Sequence, residues 1–268
     1  KDFGQFATYV KVVTERYQGL IDSYDVWNEP WGTSFWSMGW DEAKKEWKRS
    51  PTASEDYTKL QQAAFASAKA VDRKLTILGF NTYGSQGGRD WTADQLKFGA
   101  LPACDAFCYH HYSSAYNGYP GDDVEKALDY ATEPVVQAKG RVPMPVWMTE
   151  GSPTTYQLNN GFYHFTEPGQ ATDDNWEIGN RLCRYMVSLL SHNVARFFLY
   201  TMHGHGPYKP AVWEWTVLVE DNGTLHPSGV AHAHCAWLLE DTQYVKVIEP
   251  AQGVYAYLFA GQGRAVAV

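Results

Sequence analysis

Between residues 3 and 17 the apolar positions Phe3, Phe6, Val10, Val13 and Tyr17 recur at spacings of three and four, one face of a helix that Gly19 closes. The period then shortens. "SYDVWN" (23–28) reads as a strand and runs straight into Glu29 and Pro30. A polar, Trp-rich stretch over 31–51 is expected to be a loop. Ser50, Thr52 and Ser54 are N-cap candidates for a helix over 53–72, and the strand "LTILGF" (75–80) follows. The same unit recurs with helices near 91–100, 122–139, 173–192 and 228–240, and with strands at 106–112, 145–150 and 196–201.

Short apolar strands alternating with helices predict parallel βαβ units, for which a (β/α)8 barrel and a doubly wound sheet are the two candidates. Where the polar residues fall separates them. Asn28 and Glu29, Asn81, His110 and His111, Glu150, and Thr201 to His203 all sit at carboxyl ends of strands, where barrel enzymes build their active sites. No Gly-rich phosphate loop follows any strand, which counts against nucleotide binding. A (β/α)8 barrel portion is therefore expected over 1–241. Beyond it, "QYVKVIEP" and "VYAYLFAGQGRAVAV" alternate with period two, the second as a hairpin turned at 261–263, so 242–268 is expected to begin a small β-rich appendage.

Composition narrows the ligand. The net charge is −8 and the charges are dispersed, which excludes a polyanion-binding surface for nucleic acid or an anionic membrane. No stretch reaches the roughly 18 apolar residues of a membrane span, and the opening residues are neither a signal peptide nor an initiator and read as a helix entered mid-chain. Aromatics make up 15% of the chain, with 11 Trp and 18 Tyr, either as an aromatic core or as a cleft that stacks the flat faces of a ligand such as a sugar ring. The four cysteines show no zinc-like spacing, and most read as buried small hydrophobes.

Glu29 and Glu150 lie three predicted strands apart, which in an eight-stranded circle sets them nearly opposite one another across the mouth. Two carboxylates about 5 to 5.5 Å apart are what retaining glycoside hydrolysis requires, one as proton donor and one as nucleophile. His111 or Tyr112, next to the Glu150 strand, are candidates to donate a hydrogen bond that keeps Glu150 ionised. Asn81 either binds a sugar hydroxyl or starts a turn. Trp31, Trp36, Trp40, Trp213 and Trp215 lie in loops at the mouth as stacking or packing residues.

The "WNEP" of 27–30, "VWMTEG" at 146–151 and "YHHY" at 109–112 together resemble clan A of the glycoside hydrolases. The resemblance implies a retaining (β/α)8-barrel enzyme with glutamates at the ends of strands four and seven: Glu29 as acid/base, Asn28 as partner of the sugar 2-hydroxyl, Glu150 as nucleophile, and no metal or cofactor. The tail resembles the β-sandwich that accompanies the barrel in β-xylosidase-like and arabinofuranosidase-like families. A carbohydrate substrate fits a secreted or periplasmic location. If Glu29 ends strand four, strands one to three, about 100 residues, fall outside this sequence, and the arc has bare edges. A separate chain or second copy covers them, the sequence is a piece of a longer enzyme, or the strand count is wrong.

Two rival readings stay open. One is a non-catalytic carbohydrate-binding or degenerate barrel. The other is a metal-dependent barrel hydrolase, suggested by "HGH" at 203–205 and "HAH" at 232–234, although the second pair sits at i, i+2 of a helix, where side chains diverge.

Overall fold

A computed structural model of the chain describes residues 2–113, 120–153, 173–202, 218–219 and 222–268. They fall into two compact units, 1–110 with 127–149 and 111–126 with 150–268. Two strands pass from one unit into the other.

The first unit opens with α1 (Phe3–Arg16), whose first turn is capped by Asp2 accepting from the Gln5 N–H at 3.1 Å. Strand β1 (Ser23–Asp25) follows, then the antiparallel hairpin β2 (Ser37–Asp41) and β3 (Glu46–Arg49). The hairpin corrects the loop expected there. Helix α2 (Ala53–Val71) packs on α1, and β4 (Thr76–Tyr83), α3 (Gln86–Lys97), β5 (Ala106–Ser113), α4 (Pro120–Lys139) and β6 (Val146–Pro153) continue the alternation. β1 pairs with β4 and β4 with β5, all parallel, and the sheet of this unit runs β1-β4-β5-β6.

The second unit takes over the carboxyl ends of β5 and β6 and adds α5 (Asp173–Ser191), β7 (Val194–Leu199) beside β6, and α6 (Pro227–Leu239) packed on α5. Each crossover moves the parallel sheet on in one direction without reversing, which is barrel topology; a doubly wound sheet reverses at its switch point. The arrangement is part of a (β/α)8 barrel. The three strands β8 (Gln243–Ala251), β9 (Val254–Gly261) and β10 (Arg264–Ala267) then form an antiparallel sheet, with Gly261 opposite Arg264 across the turn.

The cores follow the sequence periods. Val10 of α1 meets Tyr57, Leu60, Ala64 and Ala68 of α2 and Ile77 of β4, while Leu78, Ala106, Cys108 and Trp147 interlock on the sheet. In the second unit Leu182 and Met186 of α5 pack with Cys235 of α6, and Val187 with Leu239 and Phe259. Helix α3 begins at Gln86, five residues before the position expected, because Gly88 lets its first turn lie against β4: a Cβ there would sit 1.8 Å from the Tyr83 carbonyl oxygen. Among the described residues no helix is long and apolar enough to cross a membrane.

Candidate active site

In the first unit the candidate residues are placed by the way β1 stops. Pairing ends at Asp25, and Trp27 and Glu29 adopt φ of 74° and 44°, the left-handed region that side chains other than glycine seldom occupy. Such a conformation persists only where the surroundings fix it. Three contacts do so here. The Val26 carbonyl accepts from the buried Tyr57 hydroxyl at 2.9 Å, the Trp27 carbonyl accepts from Asn81 Nδ2 at 2.6 Å, and the Trp27 indole N–H donates to the Phe35 carbonyl at 3.2 Å. The chain therefore leaves the sheet in a tight turn, closed by the Gly32 N–H donating to the Glu29 carbonyl at 2.8 Å.

Asn81 can reach Trp27 because β4 is itself irregular. Phe80 and Asn81 have φ of 72° and 37°, and the register with β5 shifts between Gly79 and Thr82, a bulge that re-aims the strand end. Side chains hold it. The Phe80 N–H donates to Gln61 Oε1 at 3.1 Å, and the Phe80 carbonyl accepts from Trp91 Nε1 at 3.0 Å and Gln95 Nε2 at 2.6 Å.

Glu29 so placed is mostly sheltered, its side chain 14% exposed, with Oε1 2.9 Å from Nδ1 of the buried His110 in the carboxyl half of β5. With Glu29 ionised the imidazole N–H donates; with Glu29 protonated the carboxyl O–H can donate to a bare Nδ1. The pair can hold a proton in either position. Asp25 lies alongside: although the residue keeps an exposed side on its edge strand, its carboxyl is packed among Asn81, Cys108 and Thr149. Burial pushes the Asp25 pKa up, against the opposing pull of His110, of the nearby Thr149 hydroxyl, and of hydrogen bonds from Cys108 and Asn81.

In the second unit, Tyr112 donates its hydroxyl to Glu150 Oε1 at 2.6 Å, a short bond of the charge-assisted kind. His111 does not share that role. Successive strand residues face opposite ways, so His110 and Tyr112 share one face of β5 and His111 takes the other. There its Nε2 lies 3.3 Å from Asp123 of α4, and its carbonyl accepts from the buried Tyr185 hydroxyl of α5 at 2.6 Å. Of the two candidates expected to donate to Glu150, His111 or Tyr112, this parity leaves Tyr112.

The remaining expected residues divide. Asn28 is exposed beside Glu29. Asn81 is fully buried and spends its amide on Asp25 and the Trp27 carbonyl, so it braces the site and is not open to a sugar hydroxyl. Trp31 packs against Tyr83 with ring centroids 4.1 Å apart, and Trp36 is buried against Trp27 and Tyr57. Trp40 stays exposed on the hairpin, edge-on to Trp47. Trp213 and Trp215, with His203 and His205, lie outside the described residues. His232 and His234 face different neighbours, Phe197 and Trp237, as their helical spacing requires. His110 and Asp25 are the residues whose contacts the sequence did not assign, and the alternation along β5 was the signal that would have exchanged His111 for His110.

Comparison with solved structures gives the same architecture. The chain is similar to a family 39 glycoside hydrolase from the gut symbiont Bacteroides cellulosilyticus WH2, with 15% identity, a TM-score of 0.63, and coverage of 97% of this chain and 49% of that one. It is similar to the catalytic domain of GH30 xylanase C from Talaromyces cellulolyticus, with 15% identity, a TM-score of 0.56, and coverage of 98% and 53%. It is also similar to an endo-1,4-beta-xylanase from Caldicellulosiruptor owensensis, with 14% identity, a TM-score of 0.53, and coverage of 85% and 67%. The shared fold is a (β/α)8 barrel, in part. The chain spans about half the length of the first two of these structures and two thirds of the third. No protein-family model and no curated protein sequence matches it.

Proposed function

We propose that the chain is the catalytic portion of a retaining glycoside hydrolase acting on β-linked polysaccharide or oligosaccharide, with Glu29 as acid/base and Glu150 as nucleophile. The reading is supported by a hydrogen-bonded glutamate in each unit, Glu29 just past β1 with Oε1 2.9 Å from His110 Nδ1, and Glu150 in the carboxyl half of β6 accepting from the Tyr112 hydroxyl, in a chain whose fold is similar to those of glycoside hydrolases.

In the first step Glu150 attacks the anomeric carbon while Glu29 gives its proton to the leaving oxygen, so one C–O bond forms as the other breaks. The Tyr112 hydroxyl donates to the Glu150 carboxylate before attack and meets it again as it departs. Glu29, now a carboxylate, is met by the His110 N–H, then takes a proton from the water that hydrolyses the glycosyl-enzyme. Asn28, exposed beside Glu29, is the partner proposed for the 2-hydroxyl, and Trp31, Trp213 and Trp215 are proposed to stack sugar rings. Residues 1–241 are read as barrel and 242–268 as appendage. A further chain or second copy is proposed to cover the outer side of β1, where Phe6, Tyr9, Tyr24 and Trp27 line a pocket of about 330 Å³.

Xylan is the first substrate to assay, since two of the similar structures are xylanases. The test is Glu29→Ala: hydrolysis of aryl β-xylosides with poor leaving groups should collapse, while with an activated dinitrophenyl β-xyloside, which needs no acid to form the glycosyl-enzyme, azide should accelerate turnover with release of a β-glycosyl azide. Turnover by Glu29→Ala equal to the parent would refute the acid/base role, and sugar binding without turnover in the parent would favour a binding module. Glu29, His110 and Glu150 are also of metal-ligating type, so a chelator arm is included; loss of activity there would favour a metal hydrolase.

A further inference from the structure

Two of the four cysteines are not simple core residues. Cys183 in the middle of α5 and Cys235 in α6 are both free thiols, and their sulfurs lie 3.1 Å apart with the Cys235 S–H donating to the Cys183 sulfur. Cys104 and Cys108 make other contacts: the Cys104 thiol meets the Leu101 carbonyl and the Met144 sulfur, and the Cys108 thiol meets the Gly79 carbonyl and Asp25.

We infer that Cys183 and Cys235 form a thiol–disulfide exchange site, which takes a small-molecule disulfide as co-reactant and closes to a bridge fastening α5 to α6. A disulfide bond measures about 2.05 Å, so closing it asks the sulfurs to approach by only about 1 Å. The two thiols differ as an attacking and a resolving pair should. Cys183 is half-buried, while Cys235 is only 3% exposed. The hydrogen bond from Cys235 lowers the Cys183 pKa to about 7, and that same bond, with burial, raises Cys235.

The exchange balances. The Cys183 thiolate attacks one sulfur of the disulfide, forming a mixed disulfide and expelling one thiolate; Cys235, losing its proton, then attacks the Cys183 sulfur and expels the second. Two electrons pass to the small disulfide, which leaves as two thiols. The bridge joins positions 52 residues apart and so removes much of the freedom of the unfolded segment between them. It also secures the helix whose Tyr185 holds the His111 carbonyl of β5.

The test is incubation of the reduced protein with oxidised glutathione, followed by intact mass and a non-reducing peptide map. The expected result is loss of two hydrogens with the peptides of Cys183 and Cys235 linked, a melting temperature higher by several degrees, and reversal by dithiothreitol. Cys235→Ser should stop at a glutathione adduct on Cys183. An unchanged mass, adducts without a bridge in the parent protein, or a bridge that involves Cys104 or Cys108 would overturn the inference.

Discussion

Replacing Gln61 by leucine tests the account of how the strand ends are held. Gln61 is fully buried, accepts from the Phe80 N–H, and donates to the Ala103 carbonyl at 3.0 Å and the Ala100 carbonyl at 3.3 Å. It also fills the space a side chain at Gly79 would need, its Nε2 being 2.3 Å from that glycine's ideal Cβ. Leucine keeps most of the volume and none of the bonds. The Ala100 carbonyl retains the Ala103 N–H at 2.9 Å, so two groups lose their named side-chain partner, the Phe80 N–H and the Ala103 carbonyl. Each buried group left unsatisfied costs about 1 to 3 kcal/mol, which places Gln61→Leu at roughly 3 kcal/mol of destabilisation. That is a large share of the roughly 5 to 15 kcal/mol by which domains are stable. Urea unfolding at equilibrium reads it as a lower midpoint with an unchanged slope. A loss below about 1 kcal/mol would show that the Phe80–Asn81 bulge stands without its Gln61 bracket and would refute the reasoning.

Two further predictions bear on the site itself. Burial raises the Asp25 pKa above its ordinary value of 3.8, so the folded protein holds that proton more tightly than the unfolded chain; the resulting stability is complete below pH 3.8 and is lost as pH climbs through the raised value. Asp25→Asn should therefore gain on the parent as pH rises above 3.8 in urea titrations, and a parent that gained on the variant as pH rose would contradict the assignment. Tyr112→Phe removes a hydrogen bond to a carboxylate worth about 1.5 to 3 kcal/mol, so kcat/KM should fall roughly ten- to a hundredfold with the melting temperature little changed. Undiminished turnover of an aryl β-glycoside would count against Glu150 as nucleophile.

Much of the architecture was legible because it rests on periodicity. The apolar stripe of α1 and the short apolar strands alternating with helices predict alternating units, and the strand-end polar residues select a barrel over a doubly wound sheet. What misled is equally physical. The hairpin β2–β3 is short and polar, with β3 exposed throughout and β2 no more than half-buried, so it reads as loop. The start of α3 was hidden by Gly87 and Gly88, which lower helix propensity yet are needed where the helix crosses Tyr83. Asn81 looks like a ligand-facing strand end, and only the three-dimensional bulge turns it inward. The choice between His110 and His111 depends on strand parity, which the bonds of Tyr112 and Glu150 make readable.

The central claim is that Glu150 attacks the sugar. The direct measurement is incubation with 2-deoxy-2-fluoro-β-glycosyl fluorides of xylose and glucose, followed by digestion and peptide mass mapping. The account predicts one covalently bound sugar, on the peptide containing Glu150 and at that side chain, lost in Glu150→Gln. A label on another residue, or clear sugar binding with no label at all, would contradict it.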